Sequence, residues 1–110
     1  MDFAATWCGP CHDALRDLVT IADVQLVIVD VSEPEEKVRT FFAAQPLPPG
    51  ARVLLDAHAS ASQRWGHHRF PTTFVVDGAG TIRFINRGYG PGYADRIASK
   101  VRALVGEASK

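Results

Sequence analysis

Cysteine is scarce: two of the 110 residues. No framework of disulfides can therefore stand in for a packed core, and the fold must rest on buried apolar side chains. Long hydrophobic runs are missing as well. Leu26-Val27-Ile28-Val29 is four residues long, far short of the roughly 20 needed to cross a bilayer, and reads as a buried strand. Neither sign of charge dominates, because twelve Lys and Arg balance twelve Asp and Glu, and no basic stripe with interleaved aromatics appears. Composition thus gives no reason to expect a nucleic acid partner or membrane contact in this segment. There is no internal repeat, no low-complexity segment and no secretory signal, since Met1-Asp2-Phe3 leads directly into an apolar stretch. With 46% hydrophobic and 22% charged residues, residues 1–110 are expected to form a single globular domain.

What is present is concentrated in one motif, Trp7-Cys8-Gly9-Pro10-Cys11, which holds both cysteines two residues apart at the mouth of a predicted helix. Thiols at that spacing on a first helical turn lie close enough to form an accessible disulfide and to exchange it with another pair. Cys8 is expected at the helix N-terminus, where unpaired N–H groups and the helix dipole favour thiolate, making it the nucleophile. Cys11, one turn in, is expected to be more buried, to keep its proton and to resolve the mixed disulfide. Pro10 suits a first turn because it has no N–H to leave unsatisfied.

Apolar periodicity predicts a strand into the cysteines, a helix over 10–22, a strand over 24–31 and a helix over 34–45. Ser32-Glu33-Pro34-Glu35 carries the signals of a helix start, with Ser32 as cap and Glu35 three residues later. Pro46-Leu47-Pro48-Pro49-Gly50 ends that helix. A short strand over 52–55, a helix over 58–65 closed by Gly66, a hairpin of 72–77 and 81–86 around Asp77-Gly78-Ala79-Gly80, and a helix over 92–105 complete the pattern. The order predicts an α/β fold, a mixed sheet with helices on both faces.

The cysteine motif, the preceding run Phe3-Ala4-Ala5-Thr6, and the distant segment Arg69-Phe70-Pro71-Thr72-Thr73-Phe74-Val75-Val76-Asp77 resemble the active site and cis-proline loop of the thioredoxin superfamily. Asp30 and Pro71 are 41 positions apart, which leaves room for a helix-strand insertion before the cis-proline loop. That insertion, with Gly88-Tyr89 further on, looks like the TlpA/ResA-like thiol-disulfide oxidoreductases. The resemblance implies a thioredoxin-like fold, a cis Pro71, and a substrate contact surface of Trp7, Gly9, Pro10, Phe70 and Pro71 on which a peptide adds as a short strand. It implies protein thiol or disulfide substrates, an upstream electron donor, no organic cofactor and a monomer. The Gly9-Pro10 dipeptide matches reducing thioredoxins, placing the potential toward the low end, about −270 mV. The abrupt start implies that an N-terminal strand and any targeting segment lie outside this sequence. Cysteine usage leaves the compartment open, and the resemblance favours an extracytoplasmic, periplasmic one over the cytoplasm.

Asp2 falls six positions before Cys8, where thioredoxins carry a buried acid; it is either a general base for Cys11 or a frayed, exposed end. Asp13 is not at the position of the acidic residue common in the TlpA/ResA-like group. Cys8-Gly9-Pro10-Cys11-His12 also satisfies the pattern of covalent c-type haem attachment with His12 as axial ligand, although strand signals beyond residue 24 speak against a mostly helical cytochrome. Structural zinc would need two further ligands, and His12, His58, His67 and His68 lack finger spacing. His67 and His68 are expected to be solvent-exposed rather than metal-binding. A peroxiredoxin-like peroxidase lacks its P-x-x-x-[ST]-x-x-C setting here, and a non-catalytic interaction domain on the same scaffold would be expected to have lost a cysteine.

Overall fold

The computed structural model describes residues 1–66 and 69–108. Nine elements follow one another: β1 (Asp2–Ala4), α1 (Gly9–Leu18), β2 (Val27–Val31), α2 (Glu35–Ala43), β3 (Arg52–Asp56), α3 (Ser60–Trp65), β4 (Thr72–Val76), β5 (Ile82–Arg87) and α4 (Tyr93–Ala108). The strands form one sheet in the order β3-β2-β1-β4-β5. β1 runs parallel to β2, β2 parallel to β3, and β4 antiparallel to both β1 and β5, so the sheet is mixed as expected. The expected insertion is α2 with β3, and β3 takes the edge beside β2.

Alternation along the strands sorts side chains to two faces. Ala4, Ile28 and Val75 face α1 and α4, where Ala14, Leu15, Leu18, Ile97 and Val101 bury, and Phe41 and Phe42 of α2 pack against the same cluster. On the opposite face Phe3, Val29, Val31 and Phe74 meet α3 through Trp65 and Ala61. There Phe3 and Phe74 meet edge-on at 5.6 Å, and Trp65 lies 4.9 Å from Phe74. Helices thus cover both faces.

Several boundaries depart from the periodicity. α1 stops at Leu18 rather than 22, because Thr20 turns its hydroxyl onto the Asp17 carbonyl at 2.6 Å, a local bond that competes with helix continuation. β2 starts at Val27 rather than 24; Asp23 takes a left-handed φ of 65° and Val24 is exposed. Ser32 is not a cap. It sits at φ 58°, Pro34 occupies the N-cap without a side-chain bond, and Glu33 turns inward instead. α4 extends three residues past its predicted end, where Glu107 pairs with Arg83 of β5 at 2.9 Å. The N-cap of α3 is Ala59, which offers no side-chain bond; the Asp56 carboxylate at the end of β3 instead accepts from the N–H groups of Ala61 and Ser62 at 3.1 and 2.8 Å.

Because Phe74 is 1% exposed at the centre of the aromatic cluster, Phe74→Ala is expected to cost about 3–5 kcal/mol. Leu55→Ala, at a position 42% exposed on β3, should change stability by about 0.5 kcal/mol or less. Urea unfolding of the two variants beside the parent chain checks both values.

Candidate active site

The first strand delivers the cysteines. β1 is hydrogen-bonded on both sides, and the chain leaves it through buried Ala5 and Thr6 into a turn closed by the Cys8 N–H on the Ala5 carbonyl, 3.2 Å. Cys8 is the N-cap of α1 with extended backbone (φ −91°, ψ 110°), and its Sγ accepts the Cys11 N–H at 3.2 Å. Gly9 and Pro10 fill the first turn, as Pro10 predicts. Cys8 and Cys11 are joined as a disulfide with Cα atoms 5.2 Å apart.

Exposure does not separate the two cysteines, contrary to the expectation that Cys11 is the more buried: they are 4% and 3% exposed. What separates them is position. Only the Cys8 sulfur lies at the positive end of the helix and takes one of its free N–H groups, and such bonds favour a thiolate there.

Around the disulfide, Trp7, Gly9 and Pro10 are exposed. Trp7 is 65% exposed, and its ring meets half-buried Phe70 edge-on at 5.5 Å, tying the cysteine turn to the loop before β4. The Phe70–Pro71 peptide is cis, and Pro71 is buried. The expected contact residues therefore lie on two segments that the Trp7–Phe70 contact joins: Trp7 with Gly9 and Pro10 at the mouth of α1, and Phe70 with Pro71 in the loop before β4. His67 and His68 fall outside the described residues.

Asp2 is not a frayed end. It is 1% exposed in β1, Oδ1 accepts the Thr73 hydroxyl at 2.8 Å, and that hydroxyl in turn lies 2.6 Å from the Tyr93 hydroxyl. Burial pushes the Asp2 carboxyl up to about 7, against the opposing pull of the Thr73 hydrogen bond. Thr73 and Tyr93 were not foreseen as partners of Asp2. Strand alternation does place Thr73 on the face of Val75, a polar side chain on a core face that asks for a partner.

His12 is engaged elsewhere than the haem pattern requires. Its Nε2 lies 2.7 Å from the Thr6 carbonyl, and its ring stacks on Phe41 with centroids 5.0 Å apart. A carbonyl only accepts, so Nε2 carries the hydrogen and is not offered as a lone pair to iron. Cys8 and Cys11 are bonded to each other. Among the described residues no group of three or more His, Cys, Asp and Glu side chains gathers to hold a metal ion, and no helix is long and apolar enough to cross a membrane.

Glu33, part of an acidic helix start in the sequence, grips the turn before Cys8. Its Oε1 accepts the Thr6 N–H and its Oε2 the Thr6 hydroxyl, both at 2.6 Å.

Residues 1–101 match the model of a protein family described as Redoxin. The thiol:disulfide interchange protein HelX of Rhodobacter capsulatus is 30% identical over 114 aligned residues, covering 96% of this chain and 59% of the relative. The thiol-disulfide oxidoreductase ResA of Geobacillus thermodenitrificans is 27% identical over 94 residues, covering 80% of this chain and 53% of the relative. A crystal structure from Chlorobium tepidum, assigned as thiol:disulfide interchange protein DsbE, aligns with TM-score 0.79 at 23% identity over 94% of this chain and 76% of that one. The chain thus spans little more than half the length of the curated relatives it matches.

The Asp2 carboxyl gives a signed pH dependence. A carboxyl raised from 3.8 to about 7 favours the folded state while protonated, so its contribution is intact below pH 3.8 and is lost as pH rises through about 7. Asp2→Asn keeps an acceptor for Thr73 and removes the charge. The variant is expected to be more stable than the parent above neutrality, with the difference shrinking toward acid; urea midpoints across a pH series check the sign.

Proposed function

Because the chain belongs to the Redoxin family and has a thioredoxin-like fold, we propose that residues 1–110 form one catalytic domain that exchanges thiols and disulfides with protein substrates. The observation that carries this reading is the Cys8 sulfur at the N-cap of α1, bonded to Cys11 and accepting its N–H.

In the reduced form the helix N-terminus stabilises the Cys8 thiolate. That thiolate attacks one sulfur of a substrate disulfide, the substrate S–S bond breaks, and the other substrate sulfur leaves as a thiolate that takes a proton. Cys11 then gives its proton to Asp2, directly or through a water, and attacks the Cys8 sulfur. This forms the Cys8–Cys11 disulfide and releases the second substrate thiol. Two electrons have passed to the substrate, and a thiol donor must return them before the next cycle. Asp2 suits the base role because a buried carboxyl near pH 7 can take and return a proton at neutral pH. No organic cofactor enters these steps.

Trp7, Gly9 and Pro10 supply exposed contact surface beside Cys8, Phe70 borders it through its ring contact with Trp7, and an incoming peptide adds there as a short strand. The Gly9-Pro10 pair favours the reducing direction.

Cys8→Ser is expected to abolish exchange, and Cys11→Ser to accumulate mixed disulfides that non-reducing electrophoresis resolves. Equal iodoacetamide labelling of both single variants near neutral pH would remove the assigned asymmetry. Equilibration in graded dithiothreitol buffers should give a reversible two-electron couple toward the low end, about −270 mV. A couple near glutathione would reverse the proposed direction, and no reversible couple would end the oxidoreductase reading.

A further inference from the structure

Two carboxylates outside the cysteine chemistry meet beneath the turn that carries Cys8. Asp30 lies on β2, on the face it shares with Ile28, and is 1% exposed. Neither of its oxygens receives a hydrogen bond from any donor among the described residues. Glu33, three residues on and also buried, commits both oxygens to Thr6, and Lys37 reaches Oε2 at 3.2 Å. A buried carboxylate with no donor is costly, whereas one that keeps its proton becomes a donor itself and needs only an acceptor. The Glu33 carboxylate, whose charge bears on Asp30, is the acceptor at hand. Burial first, then the hydrogen bond and charge of Glu33, push Asp30 up to about 7, with Lys37 pulling the other way. Burial alone would raise Glu33, but the Thr6 hydroxyl and N–H, Asp30 and Lys37 together hold it below its ordinary value.

We propose that Asp30 and Glu33 share one proton, with Asp30 the donor, and that this acid–carboxylate pair is the positioning device that fixes Thr6 and, through it, the turn presenting Cys8. Thr6 is held at every polar group: N–H and hydroxyl by Glu33, carbonyl by His12 of α1. Two residues later comes the Cys8 sulfur. The strand neighbours of Asp30 are Ala4 and Leu55, neither of which titrates. The titratable groups around the pair are therefore Lys37 on α2, His12 across Thr6, and Asp2, which pairs with Ile28 further back along the same face. Loss of the shared proton puts two negative charges in one dry site with Lys37 as their direct counter-charge, and the grip on Thr6 loosens.

The test is a titration of the oxidised chain by NMR, following the Asp30 side-chain carboxyl carbon and the Thr6 amide from about pH 4 to about pH 9. Asp30 should remain protonated where an ordinary aspartate has ionised, and the Thr6 amide should shift with the same midpoint. Asp30→Asn, which can still donate to Glu33, should lose the Thr6 inflection, while Asp2→Asn should keep it. An Asp30 carbon that ionises in the ordinary carboxylate range, or a Thr6 inflection unchanged in Asp30→Asn, overturns the shared proton; the first needs no variant to fold. In the reduced chain, Asp30→Asn should also lose one inflection from the pH profile of Cys8 alkylation. An unchanged profile overturns the positioning role. That last arm alone rests on the role proposed for Cys8, so failure of the oxidoreductase reading would leave the NMR result standing.

Discussion

The double-sided hydrogen bonding of β1 is the constraint on which the rest of the structure depends. The strand has three residues, all buried, with β2 on one side and β4 on the other. A strand so short holds its register because its alternation leaves no choice: Phe3 enters the aromatic cluster with Phe74 and Trp65, while Asp2 and Ala4 face α1 and α4. A slip of one residue would send Phe3 to the helical face and place Asp2 among the aromatic rings. The same register brings Asp2 to Thr73 and carries the chain out through Thr6 to the N-terminus of α1. Scaffold and site are thus one construction.

The site also depends on where water is excluded. Asp2 and Asp30 both lie on the helical face of the central sheet, and both are held near pH 7 by burial. They are solved differently. Asp2 takes a hydrogen bond from the Thr73 hydroxyl, which in turn lies 2.6 Å from that of Tyr93. Asp30 has no donor among the described residues and leans on Glu33. One carboxyl serves the proposed chemistry; the other serves the geometry of the turn that presents it. The Cys8 sulfur takes its hydrogen bond from the first turn of α1 rather than from a charged side chain.

Much of this was legible from particular residues. Trp7 through Cys11 declared the helix mouth and the disulfide, and Phe70-Pro71 declared the loop that the Trp7–Phe70 contact joins to it. The apolar runs gave the element order and the two-faced sheet. Helix ends were less legible: Ser32 and Glu107 bond to Asp56 and Arg83, partners distant in the chain, and Thr20 ends α1 by a local bond to Asp17 that apolar periodicity does not register. Ser32 is the instructive case: the local pattern of a capping box with Glu35 was present, but Ser32 takes a left-handed φ and its N–H goes to the Asp56 carbonyl at 2.9 Å, while Glu33 turns inward to Thr6, a residue 27 positions earlier in the chain.

The sequence by itself determined the chemistry available, two thiols at helical spacing and a proline loop to face them, because spacing along a helix or strand is a local property. Only the tertiary structure decided that Asp2 is buried rather than frayed, that His12 is spent on Thr6, that the two cysteines differ by a hydrogen bond and not by exposure, and that Asp30 meets Glu33 under the Cys8 turn. Burial and hydrogen-bond partnership arise from segments distant in the chain packing together, and no local pattern carries that information.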